Sequence, residues 1–97
     1  MENNREITLI VTYRCRKGMR KKFLEEVKSA GIVGKIGLEE GFISYDYYFS
    51  ADDPDRLLLV EKWSSEDRQK AHLETEHMGE LKKIKEKYVT DTQVERF

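Results

Sequence analysis

Apolar residues fall at every second position from Ile7 to Cys15 (ITLIVTYRC), with Ile7, Leu9, Val11 and Tyr13 on one face and Thr8, Ile10, Thr12 and Arg14 on the other. The run is rich in β-branched residues, and the period of two predicts a first strand. Lys17-Gly18 ends it. Met19, Phe23, Val27 and Ala30 then recur at helical spacing among Arg20, Lys21, Lys22, Glu25, Glu26 and Lys28, which predicts an amphipathic helix with one buried stripe. Gly31, Gly34 and Gly37 punctuate Ile32, Val33, Ile36 and Leu38, the pattern of a broken helical turn or flexible connection. No Lys-Ser or Lys-Thr follows these glycines, and they lead into a strand rather than out of one. A phosphate loop is therefore disfavoured.

Phe42 to Phe49 predicts an aromatic second strand, and Arg56 to Trp63 a third. Between them, Ser50-Ala51-Asp52-Asp53-Pro54-Asp55 is turn chemistry, so the two strands form a hairpin. Ser64-Ser65-Glu66-Asp67 reads as a helix start, with a serine cap and acids in the first turn. That helix is expected to run to about Tyr88, with a break near Gly79 and a stripe of Ala71, Met78, Leu81, Ile84 and Tyr88. Val89 to Phe97 alternates weakly as a fourth strand. The order β-α-β-β-α-β predicts an α+β fold, a ferredoxin-like sandwich of four antiparallel strands with two helices on one face.

A sheet covered on one side should be polar on the other. The third strand is not: Leu57 and Leu59 point one way, Leu58 and Val60 the other. The second strand carries Phe42 and Tyr48 on one face and Ile43, Tyr45, Tyr47 and Phe49 on the other. No segment remains to cover the open face, so the pattern predicts a face-to-face homodimer.

The totals sharpen this picture. A chain of 97 residues with one plausible core reads as one domain over residues 1–97. With 18 basic and 19 acidic residues the net charge is -1, which gives no field to attract nucleic acid or an anionic membrane. No apolar run spans a bilayer, and Met1 to Glu6 is polar, unlike a secretory signal. Cys15 is alone and can form no internal disulfide, so a cytoplasmic setting is expected.

Few residues offer chemistry. Glu61 and Trp63 share a face with Leu57 and Leu59. His72 and His77 are five apart, which on one continuous helix separates them by about 140°, so a shared zinc is not expected. A break in the helix would free His77 to turn toward the third strand. Histidine moves protons near neutral pH. Cys15 has Arg14, Arg16 and Lys17 beside it, which would lower a thiol pKa, but no His or Asn partner is visible and it is taken as incidental.

Several of these stretches resemble one family. Glu39-Glu40-Gly41-Phe42-Ile43-Ser44-Tyr45-Asp46 is similar to its Glu-x-Gly-x-x-x-Tyr-acid lead into the second strand, Glu61-Lys62-Trp63 to its Glu-x-Trp, and His72 with His77-Met78 to its paired histidines. The first strand, Lys17-Gly18 and Phe23 fit its opening. The family is the antibiotic biosynthesis monooxygenases, including small quinol monooxygenase-like proteins. Glu40 departs from the proline that many members carry there.

The resemblance implies a dimeric α+β barrel with a pocket between sheet and helices. It implies oxidation of quinol- or anthrone-type small aromatics by O2, with no metal or organic cofactor. By position, Trp63 would wall the pocket and His72 or His77 would be base or hydrogen-bond donor. Tyr45 and Glu61 would support them, and Leu59 and Val11 would line the substrate. Haem-degrading relatives use an Asn on the first strand, and Ile7 to Cys15 has none. The same architecture also serves a non-oxidative isomerase and ligand-binding stress proteins, which stand as the alternative.

Overall fold

The computed structural model describes residues 5–97. Its elements are β1 (Ile7–Cys15), α1 (Arg20–Ser29), α2 (Ile32–Ile36), β2 (Phe42–Phe49), β3 (Arg56–Trp63), α3 (Glu66–Leu73), α4 (Glu76–Tyr88) and β4 (Val89–Arg96). The strands form one sheet in the order β2-β3-β1-β4, each neighbouring pair antiparallel. This is the expected ferredoxin-like α+β fold, with each helix in two pieces.

Alternation decides which side chains meet the helices. Leu9, Val11, Tyr13 and Cys15 of β1 and Leu57, Leu59, Glu61 and Trp63 of β3 are buried on the inner face. Phe23 and Val27 of α1 are fully buried against it, Phe23 meeting Tyr13 edge-on at 5.6 Å between ring centroids. Each such side chain contributes roughly 1.5–3 kcal/mol by leaving water.

The structure corrects three expectations and decides between the two readings of a fourth. Phe42 does not share a face with Tyr48: the β2–β3 register shifts between Phe42 and Ser44, so Phe42 pairs with Trp63 and packs edge-on against it at 6.0 Å. Of the two readings of the glycine-punctuated segment, the helical one holds: fully buried Ile32 and Ile36 fix α2 to the core. The long helix breaks at Glu74–Thr75, five residues before Gly79, which lies inside α4. Ala71 is exposed, and Gln69 and His72 form the inner face of α3 instead.

The other side of the sheet carries Ile10 opposite Val60 and Thr12 opposite Leu58. Ile10, Leu58 and Val60 are half-buried, and Tyr48 is 54% exposed. No helix among the described residues is long and apolar enough to cross a membrane.

Candidate active site

Between the inner face of the sheet and the α3–α4 elbow lies a cleft of about 640 Å³, within the ~300–1,000 Å³ of small-molecule sites. Leu9, Val11 and Tyr13 of β1, Tyr45 of β2 and Glu61 of β3 line the sheet side. Gln69, His72 and Leu73 of α3 face them with Met78 and Leu81 of α4. Lys82, Lys85 and Arg96 bring positive charge to the lining.

His72 owes its place to the start of its helix. The Ser65 hydroxyl accepts from the Arg68 backbone N–H at 3.2 Å, with Glu66 and Asp67 in the first turn where the macrodipole favours acids. The helix phase set there turns His72 inward, where it is 1% exposed and stacks on Trp63 with centroids 4.5 Å apart. α3 then ends. The Thr75 hydroxyl donates to the His72 carbonyl at 2.8 Å, and α4 starts in a new direction with His77 in its first turn.

The break brings both histidines to one oxygen. His72 Nδ1 lies 2.8 Å from Glu39 Oε2, and His77 Nε2 lies 2.7 Å from the same atom. Glu39 sits in the turn between α2 and β2. Gly41 fixes that turn: its φ is 86°, and a Cβ there would collide with the Arg68 side chain and the Ser64 hydroxyl. The Ser64 N–H also donates to the Gly41 carbonyl at 2.8 Å. The turn is thus seated on the start of α3, directly beside the elbow.

A carboxylate oxygen only accepts, so both imidazoles donate to it. That fixes the neutral tautomer of His72 with its proton on Nδ1 and its lone pair on Nε2. His72 Nε2 is buried and has no hydrogen-bond partner among the described residues. The same holds for Gln69 Oε1. Both belong to residues that line the cleft, so a bound molecule with a donor group would satisfy them.

Glu61 is buried and accepts from Trp63 Nε1–H at 2.9 Å. Burial pushes its carboxyl above the ordinary value, against the opposing pull of the Trp63 hydrogen bond and of His72. Burial likewise holds the Tyr45 phenol well above its usual range and raises Tyr47 to about 12, so both are neutral hydroxyls. Desolvation, with Lys82 nearby, lowers Lys85.

Of the residues singled out in the sequence, His72, Tyr45, Glu61 and Val11 line the cleft. Trp63 and Leu59 do not: both are fully buried, and Trp63 stands one layer behind, backing His72 and holding Glu61. His77 is outside the lining and reaches the site only through Glu39. The separation of about 140° assumed an unbroken helix and fails at Glu74–Thr75. Cys15 is buried, and desolvation raises its thiol pKa rather than the flanking cations lowering it. Glu39 and Gln69 were not anticipated as site residues. The glycine two places after Glu39 marks a tight turn, and Gln69 lies three residues before His72 on the same helix face.

The sequence profile of the antibiotic biosynthesis monooxygenases matches residues 6–83, well over half of the chain. The chain belongs to this family. No curated protein matches it. Solved structures similar to this family member include a Bacteroides thetaiotaomicron protein of unknown function described as a possible oxidoreductase, at 27% identity and TM-score 0.84, covering 98% of each chain. Protein SO0527 of Shewanella oneidensis aligns at 19% identity and TM-score 0.85, covering 100% of this chain and 93% of that one. A Nitrosomonas europaea protein provisionally named an antibiotic biosynthesis monooxygenase aligns at 21% identity and TM-score 0.83, covering 100% and 92%. The last two show the shared fold.

Proposed function

We propose that this antibiotic biosynthesis monooxygenase family member oxidises a small aromatic of the quinol or anthrone type with O2, using its own side chains and no metal or organic cofactor in the reaction. The observation that carries this reading is the His72 imidazole: its Nδ1 is held by Glu39, its Nε2 is buried and unpartnered, and the residue lines an aromatic-sized cleft.

The chemistry follows from that geometry. A substrate hydroxyl donates to Nε2, and the proton passes to it as the anion forms. Glu39 stabilises the resulting imidazolium and orients the ring, as a carboxylate does for a histidine base. Lys82, Lys85 and Arg96 favour the developing anion. The electron-rich anion gives one electron to O2, and the two radicals combine as a hydroperoxide on a ring carbon. Loss of water leaves a carbonyl: one oxygen atom stays on the product, and the other departs with two protons, one returned by His72 to the peroxide and one from the C–H bond of the same ring carbon. Tyr45 and Tyr13 give an aromatic floor, with their hydroxyls neutral.

Oxygen uptake with a panel of hydroquinones and anthrones tests the reading. Wild type is expected to consume O2, and His72→Gln to lose about 10²–10⁴ in rate while keeping its circular dichroism spectrum. Equal rates, or no uptake by wild type across the panel, would overturn it.

A second reading rests on Glu61. A buried carboxyl whose pKa burial raises and an unpartnered base in one cleft also suit a non-oxidative isomerisation, one group giving a proton as the other takes it. Substrate turnover under strict anaerobiosis would select this reading and remove the first. The working form under either is a cytoplasmic homodimer joined through the open face of the sheet.

A further inference from the structure

We propose that Glu39, His72 and His77 form a binding site for a divalent transition-metal ion of the zinc type, beside the cleft that His72 lines. One ligand atom from each residue lies within 4.8 Å of the other two. Two imidazole nitrogens and one carboxylate oxygen are a donor set zinc favours, with bonds of about 2.0–2.2 Å and a fourth position for water. Donor atoms on a tetrahedral ion of that size stand ~3.3 Å apart. The present separations of 2.8 and 2.7 Å need to open by roughly half an ångström, which rotation of one carboxylate supplies.

The three donors come from three pieces of backbone: the turn before β2, the last turn of α3 and the first turn of α4. Each is held independently, His72 by its stack on Trp63, Glu39 by the close approach at Gly41, and His77 by the elbow. Among the described residues the ion-pair partners of Glu39 are these two histidines and no lysine or arginine. Glu39 and His77 are each 12% exposed at the side chain, which leaves an ion a path from solvent.

The ion would take Nδ1 of His72, the atom that now meets Glu39. The ring's proton then belongs on Nε2, which can no longer take a substrate proton, so the reaction proposed above belongs to the metal-free chain. Binding itself does not depend on the oxidative reading, and its test contains no assay of activity.

Full-length protein without an affinity tag, stripped with EDTA, is titrated with ZnCl2 by calorimetry. One ion per chain is expected, with His77→Ala and Glu39→Gln binding at least about tenfold more weakly. Cobalt(II) provides a readout on wild type alone: four-coordinate N/O ligation intensifies its visible bands. No zinc binding by wild type, equal affinity in both variants, or a cobalt spectrum identical to that of the free aqua ion would each overturn the site.

Discussion

Glu61 is a buried carboxyl with one hydrogen bond, and the balance of forces on it can be measured. Desolvation outweighs the Trp63 N–H and the pull of His72, so its pKa in the folded chain lies above the ordinary value. A group raised on folding contributes most below its unfolded pKa, and that contribution is lost as pH rises through the folded pKa. Glu61→Gln keeps an acceptor for Trp63 and removes the charge. Its melting temperature relative to wild type should therefore climb from pH 4 to pH 7, and a difference that stays flat with pH would refute a raised carboxyl. The face on which Glu61 lies was legible from strand alternation with Leu57, Leu59 and Trp63. Its partner was not, because alternation fixes the side of the sheet and not the contacts on it. Glu39 was legible only as part of a family pattern: a turn residue has no period, and what places it is a backbone approach made some 25 residues further along the chain.

At the level of elements, the elbow between α3 and α4 decides the site. The apolar stripe continued in phase closely enough to suggest one helix, and the break fell at Glu74–Thr75, where no glycine or proline marks it. The signals present there were weak: a threonine in extended conformation opening α4, and an acid, Glu76, in its first turn. The strand-to-helix contact that aligns the elbow with Glu39 runs through Gly41. Gly41→Ala pays the left-handed strain of roughly 1–2 kcal/mol and also forces Arg68 and Ser64 to move. Gly18 has φ 75° with nothing within 4 Å of an added Cβ, so Gly18→Ala isolates the strain alone. The melting temperature should fall further for Gly41→Ala than for Gly18→Ala, by about 4–8 °C for each kcal/mol of collision. Equal losses would mean that the turn can shift without cost and does not hold Glu39.

For the whole molecule, the outer face of the sheet presents half-buried apolar side chains at its centre. Ile10, Leu58 and Val60 sit together at the sheet's middle, with Tyr48 beside Leu58 in the pairing of β2 with β3. A second copy laid on this patch would bury it, and specific interfaces of this kind cover about 800 Å² per partner. Sedimentation equilibrium on wild type should give twice the chain mass at micromolar concentration, and Leu58→Asp should give a single chain, since a carboxylate at the centre of the patch would face its own symmetry mate. A wild type that stays monomeric would remove the dimer. The cleft is on the opposite side of the same strands: Val11 and Tyr13 face it while Ile10 and Thr12 face outward. The Leu58→Asp chain should therefore keep its fold and its Trp63 emission, because Trp63, which backs His72, is fully buried on the inner face. If association stiffens β1, its effect should reach the cleft through Val11 and Tyr13, and the monomeric variant would show it as weaker substrate binding with the His72 chemistry intact.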